Sequence, residues 1–199
     1  ITVLIACAAH LVLTHGVIIM QLMLKLSPIN FFRGAREAML VAFSTSSSAA
    51  TLPVSMSAAE DNLGVKPVVA STVLPLGATI NMDGTALYVG IVSVFAAQAF
   101  GIDLTLTDYL IMAGTTTLVS VGTAAVPSAS LFLMAAVMET IGMTAQQIAV
   151  TVGFIFIIDR PLDMLRTSIN IAGDLAVSTA VATWEGEFDR EVFDRPLNS

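Results

Sequence analysis

The sequence predicts an all-α membrane protein made of spanning helices, two re-entrant helical hairpins and a broken helix. Three observations predict it. Of 199 residues, 56% are hydrophobic and 12% charged, where soluble domains carry roughly 25% charged residues; mean hydropathy is +0.87. A polar stripe of Asp163, Arg166, Thr167, Asn170 and Asp174 runs through the apolar segment 150–182 at offsets of 0, 3, 4, 7 and 11. At about 100° per residue these side chains share one helix face. Finally, two small, hydroxyl-rich segments contain Pro53 and Pro127, and their apolar flanks are too short to span.

A span needs about 20 apolar residues, so the chain can cross a bilayer several times. Cys7 is the single cysteine, which leaves no internal disulfide. A net charge of −7 argues against a nucleic-acid partner. The first residue is Ile1, and no basic stretch precedes the first apolar run, so that run is not read as a signal peptide. A chain that opens inside a span is expected to be part of a longer protein. Lys25, Arg33, Arg36 and Lys66 lie in two early connections, whereas 101–108 and 139–147 hold no Lys or Arg. The excess of basic residues on cytoplasmic loops places the first group inside and the latter segments outside.

Residues 1–26 read as a spanning helix. His10 and His15 interrupt it five residues apart, about 140° around an α-helix, so they are expected on different faces, without a metal role. Residues 27–43 are amphipathic, with Arg33, Arg36 and Glu37 on the wet side. The first tip follows, Ser44 to Pro53, and the second runs from Ser120 to Ser130. With the two prolines aligned, Ala49-Ala50-Thr51-Leu52-Pro53 lies over Thr123-Ala124-Ala125-Val126-Pro127, a loose internal repeat. Non-helical backbone at membrane depth is tolerated only where it lines a site or wet cavity, and paired interrupted segments point to a transporter binding site. The expected organisation is a span, a hairpin over 27–70, a broken helix over 71–100, a hairpin over 108–147, a polar helix over 148–183 and a cytoplasmic tail over 184–199.

Between the tips, Pro75, Gly77 and Gly84 are expected to disrupt a helix in which Asn81 and Asp83 supply oxygens in an apolar context. Freed carbonyls, an amide and a carboxylate are hard ligands suited to Na+ or H+ coupling. Asp83 has no basic neighbour in sequence, so a cation is expected to neutralise it. On the polar helix, a guanidinium forks onto a carboxylate with two parallel hydrogen bonds, and a carboxylate one turn away can receive an ammonium. Arg166 beside Asp163 therefore suits an amino-acid zwitterion with an extra acid group, aspartate or glutamate. Pro161 removes the donor to the Ile157 carbonyl and should kink this helix, with Asp159 capping the next turn.

The stretches Ser46-Ser47-Ser48-Ala49-Ala50-Thr51-Leu52-Pro53, Asn81-Met82-Asp83-Gly84-Thr85, Gly122-Thr123-Ala124-Ala125-Val126-Pro127 and 163–174 together resemble the dicarboxylate/amino acid:cation symporter family, the glutamate transporters and their prokaryotic homologues. The resemblance covers about residues 1–182 and implies the C-terminal portion of a glutamate-transporter-like transport domain. The family's N-terminal scaffold, which makes a homotrimer, would lie outside the chain. It implies substrate contacts from Arg166 (side-chain carboxylate), Asp163 (α-ammonium), Asn170 and Ser48 (α-carboxylate), with Thr85, Thr167, Ser46 and Val126 nearby. It implies one Na+ site at Asp174, Asn170, Gly77 and Asn81 and a second at Thr79, Met82, Ser120, Val121 and Thr123. A third, incomplete site would use Asp83 and Asn81. Archaeal members carry an arginine where Ser46 stands; Arg160 is the nearby residue able to supply that charge.

The expected function is therefore symport of aspartate or glutamate with Na+, or H+, by an elevator-type alternating-access mechanism in the plasma or inner membrane, with no organic cofactor. A C4-dicarboxylate symporter is the alternative. An intramembrane serine hydrolase is the alternative from another class, but no Gly-x-Ser-x-Gly elbow is present.

Overall fold

In the computed structural model, which describes residues 1–195, every regular element is helical. Extended backbone pairs at one isolated bridge, Val65 with Phe188. Helix α1 (Thr2–His10) runs directly into a π-helical stretch, Leu11–Met23. Together they make a 22-residue rod of mean hydropathy 2.2. Ser27 caps α2 (Pro28–Thr45), with Pro28 at a first-turn position where its missing N–H is harmless. Ser46 ends α2 at φ 53°, and Ser47 caps α3 (Ser48–Ser57). The first tip is thus two residues wide, and Pro53 lies inside α3 rather than closing the tip.

Helices α4 (Pro67–Ile80) and α5 (Asp83–Ala99) form the broken pair. The break falls only at Asn81 and Met82; α4 begins at Pro67, not 71, and runs through Pro75 and Gly77, while Gly84 is helical within α5. Each interior proline removes one backbone hydrogen bond, a loss that membrane helices tolerate where neighbours resupply the freed group. α6 (Leu106–Val121) and α7 (Ala129–Thr140) flank the second tip. α8 (Ala145–Glu185) is 41 residues long and continuous through Pro161, so the expected end-capping by Asp159 does not occur. Capping boxes at Thr105 with Asp108 and Thr144 with Gln147 start α6 and α8.

α8 is the axis of the molecule. One core packs α2, α3 and α4 on its C-terminal half through Phe31, Leu63, Leu74 and Leu175; a second packs α5, α6 and α7 on its N-terminal half through Tyr88, Met134, Met138 and Ile155. Between them α8 buries charge: Asp159, Asp163, Arg166, Asn170 and Asp174 are all under 5% exposed. Leu13, Leu118, Phe132 and Ile157 stand exposed instead. This pattern of apolar outside and polar inside suits a hydrocarbon solvent.

Residues 184–195 of the tail pack against the helices. α9 (Arg190–Asp194) folds back, burying Phe193 against the first core. Lys66 donates its backbone N–H to the Glu187 carbonyl (3.0 Å), Asp189 donates to the Gly64 carbonyl (2.7 Å), and Asn30 donates to Asp194 (3.2 Å). The connections around Lys66 and the tail therefore share one end of the molecule.

Candidate functional site

Arg166 lies within α8 at 2% exposure, and three residues compensate its charge. Nη1 donates to Asp159 Oδ1 at 3.0 Å. Nη2 stands 2.8 Å from Asp163 Oδ1 without the alignment of a hydrogen bond. The guanidinium also stacks over the Tyr88 ring, 4.2 Å from its centroid. Tyr88 in turn donates its hydroxyl to Asp159 Oδ1 at 2.8 Å. The second tip closes the cluster: Ser128, left-handed at φ 58°, donates its backbone N–H to Asp163 Oδ2 (2.9 Å) and its hydroxyl to Asp159 Oδ2 (3.0 Å).

A closed pocket of about 20 Å³ lies beside Arg166, walled by both tips, α5 and α8. It brings together all eight residues expected to touch substrate: Ser46, Ser48, Thr85, Val126, Asp163, Arg166, Thr167 and Asn170. Three polar groups on its wall, Ser46 Oγ, Ser130 Oγ and Arg166 Nη2, are buried without a hydrogen-bond partner. Buried polar atoms in that state are costly unless a ligand or water meets them. The tips also touch each other, since Ser47 donates its hydroxyl to the Ala125 carbonyl at 2.7 Å. Arg160 is 54% exposed, 3.9 Å from Asp163 Oδ2, and does not line the cavity.

A second constellation sits where the α4–α5 break meets α8. Asn81 donates its amide to Asp174 Oδ1 (2.9 Å) and to the Asn170 carbonyl (3.2 Å). Asp174 is 2% exposed and forms no ion pair among the described residues. A Cβ at Gly77 would stand 2.6 Å from Asp174 Oδ1, so only glycine admits the carboxylate there. At the end of α4 the Gly77 carbonyl accepts from the Asn81 N–H (2.8 Å), and the three carbonyls after it have no intrahelical donor. A buried carboxylate beside amide and carbonyl oxygens is a donor set that fits Na+. Of the second expected ion set, Met82 and Thr123 line the small cavity; Met82, Ser120 and Val121 line a larger one of about 930 Å³ between α1, α5 and α6. Thr79 joins neither: it is exposed, and its hydroxyl donates to the Leu76 carbonyl.

Asp83 departs from expectation. Two bases approach it: His10 Nε2 lies 2.8 Å and His15 Nε2 3.0 Å from Asp83 Oδ2. The expectation that the two histidines face apart assumed α-helical spacing. The π-helical turn, hydrogen-bonded i to i+5, carries residues five apart round to one face. Neither histidine is hydrogen-bonded to a serine among the described residues, so the arrangement for a serine hydrolase is missing there.

Residues 1–184 match the sodium:dicarboxylate symporter family. The chain belongs to that family. It is 38% identical over 195 residues to an excitatory amino acid transporter of Caenorhabditis elegans, covering 98% of this chain and 38% of that protein. Excitatory amino acid transporter 2 of Homo sapiens is 41% identical over 164 residues, covering 80% and 28%. An excitatory amino acid transporter of Onchocerca volvulus is 37% identical over 195 residues, covering 98% and 38%. The chain thus spans about a third of the length of these relatives. The family and these relatives are membrane transporters, not enzymes.

In this chain, sequence reasoning missed Asp159, Tyr88, Ser128, Ser130 and Ser47. The signal for Asp159 was its place seven residues before Arg166, two helical turns away on the same face. For the others only the meeting of tips, α5 and α8 brings them in.

The approach of α5 to α8 is testable at Gly84. A Cβ there would meet the Arg166 carbonyl oxygen at 2.6 Å, whereas one at Gly153 meets nothing within 4 Å. Gly84→Ala should destabilise by about 1–3 kcal/mol, while Gly153→Ala should be neutral or stabilising by up to about 1 kcal/mol. Thermal unfolding of the two variants in detergent gives the comparison.

Proposed function

We propose that this chain forms the substrate-carrying core of a Na+-coupled symporter for acidic amino acids. The observation that carries the reading is the pocket whose wall holds Arg166, ion-paired to Asp163 but not hydrogen-bonded at Nη2, beside Ser46 Oγ and Ser130 Oγ, which have no hydrogen-bond partner. A carboxylate is the ligand that meets a guanidinium nitrogen and hydroxyl donors together. The sodium in the family's description and the excitatory amino acid transporters among the relatives support the same reading.

In this mechanism the substrate's side-chain carboxylate takes Arg166 and its ammonium takes Asp163, while Asn170 and Ser48 hold the α-carboxylate. Thr85, Thr167, Ser46 and Val126 complete the wall. Asp159 and Tyr88 orient the guanidinium and neutralise it when the cavity holds no substrate. Na+ travels as co-substrate at Asp174 with Asn170, Asn81 and the carbonyl of Gly77, and its charge offsets the buried carboxylate. The two helix–tip–helix units act as re-entrant gates. The second tip opens outward and the first inward, so the cavity faces each side in turn as the core moves in the membrane.

The expected outcome for Arg166→Ala is a loss of about 2–5 kcal/mol in aspartate affinity, with serine affinity changed far less. Binding of aspartate, succinate and serine to the protein in proteoliposomes checks it. An equal fall for aspartate and serine overturns the role of Arg166, and succinate bound in preference to aspartate selects the dicarboxylate reading.

Asp174→Asn removes the charge that a cation offsets. Aspartate affinity should then lose its steep dependence on Na+ concentration, because coupled ligands favour each other's bound state. A Na+ titration of aspartate binding reads this, and an unchanged Na+ dependence counts against the ion site.

Gating predicts a third outcome. With Cys7→Ser as background, Ala125→Cys should react quickly with a membrane-impermeant thiol reagent added outside and slowly once Na+ and aspartate are bound. Adding Ser47→Ala, which removes the contact between tips, should speed the ligand-free reaction. Protection at Ala50→Cys but none at Ala125→Cys reverses the two gates.

A further inference from the structure

We propose that residues 186–194 form a strap that clamps the base of the first helix–tip–helix unit to the end of α8 and so sets how far its tip can move. α8 ends at Gly186, whose φ of 74° turns the chain back on itself. The segment after it runs antiparallel to the returning leg of the hairpin, just past a π-helical turn, Ala58–Asn62. Val65 faces Phe188 there, between the backbone hydrogen bonds from Asp189 to Gly64 and from Lys66 to Glu187. The side chains of Lys66 and Glu187 also pair, at 3.2 Å. Asp189 then caps α9 by accepting from the N–H groups of Glu191 and Val192. α9 carries Phe193, 2% exposed, into the first core with Phe31 and Leu63, its ring 5.6 Å from that of Phe188. At the far end Asp194 accepts from Asn30, in the first turn of α2. The strap thus grips both legs of the hairpin, α2 through Asn30 and the leg after α3 through residues 64–66.

Gly64 is required by this contact. Its φ is 70°, and a Cβ there would stand 2.1 Å from the Asp189 carbonyl oxygen. Backbone cannot yield that distance without the two segments separating. No strap residue lines the pocket, but the tip at the other end of the clamped legs does, through Ser46 and Ser48. A hairpin moves most easily as a rigid pair of legs swinging on its base. With the base tied to α8, the tip moves only if the legs bend or the strap lets go. The strap therefore raises the cost of opening at the first tip while leaving the second tip, which it does not touch, unaffected. The consequence for transport rests on the reading of the first tip as the inward gate: a closed strap keeps that gate shut.

The rival account is a tail that covers apolar surface at this end and leaves the tip alone. Val65 and Phe188 are the non-hydrogen-bonded pair of their bridge, so their Cα atoms stand about 4.5 Å apart, inside the range of roughly 4.4–6.8 Å that a disulfide spans. With Cys7→Ser as background, Val65→Cys/Phe188→Cys should cross-link on oxidation, a positive signal that a misfolded variant would not give. Hydrogen exchange of the protein in nanodiscs then reads the tips. Amides 44–52 should exchange more slowly in the cross-linked protein than after its reduction, and about tenfold faster in Gly64→Ala than in the parent. Amides 122–128 should not change. Absence of the cross-link, equal exchange at 44–52 in all these forms, or an equal rise at both tips overturns the proposal. The gate itself is read with Ala50→Cys and an impermeant thiol reagent on the inner side, where adding Gly64→Ala should speed labelling. If Ala50→Cys never reacts from inside while hydrogen exchange behaves as expected, the strap is supported and the inward-gate reading falls.

Discussion

The arrangement turns on one buried charge. A guanidinium at membrane depth has no water to stabilise it, and the desolvation cost is met only by nearby anions with good geometry. Arg166 draws Asp159 from two turns back on its own helix, Asp163 from one turn back, and the face of Tyr88 from α5. Because Asp159 and Asp163 each accept from Ser128 with their second oxygens, the same charge also holds the second tip in place. The position of the second tip and the neutralisation of Arg166 are one electrostatic unit, so a change in these ion pairs also acts on that tip.

Two departures from regular α-helix make the rest of the polar interior. The break at Asn81 and Met82 ends one run of backbone hydrogen bonds and presents carbonyls beside Asp174. The π-helical stretch of the first rod does the opposite: it keeps the chain hydrogen-bonded but changes which side chains share a face. The first feature leaves Asp174 without a basic partner, and the second supplies Asp83 with two. The two carboxylates, one on α5 and one on α8, therefore have different surroundings: an amide and backbone carbonyls near one, two imidazoles at the other.

Sequence alone determined the helical class and the polar stripe, while the other residues around the Arg166 pocket were expected only from the resemblance to the symporter family. The first two signals are local or periodic: a stripe at offsets of 3 and 4 must share a helix face, and apolar composition excludes a water-exposed fold. The small-residue tips were legible for the same reason, since short flanks and hydroxyls within an apolar chain leave few other roles. The tertiary structure decided how the charges pair. Asp159 read as a helix cap beside Pro161, yet α8 continues and Asp159 turns inward to Arg166. His10 and His15 read as facing apart because helix type cannot be seen in composition, and a π turn moves one of them by most of a quadrant or more. Pro75 and Gly77 read as the break, but the helix ends where Asn81 meets Asp174 and Asn170, partners some 90 residues away. Local pattern fixes which residues must be buried together; only long-range contact chooses which of them neutralises which, because every candidate partner satisfies the same local rule.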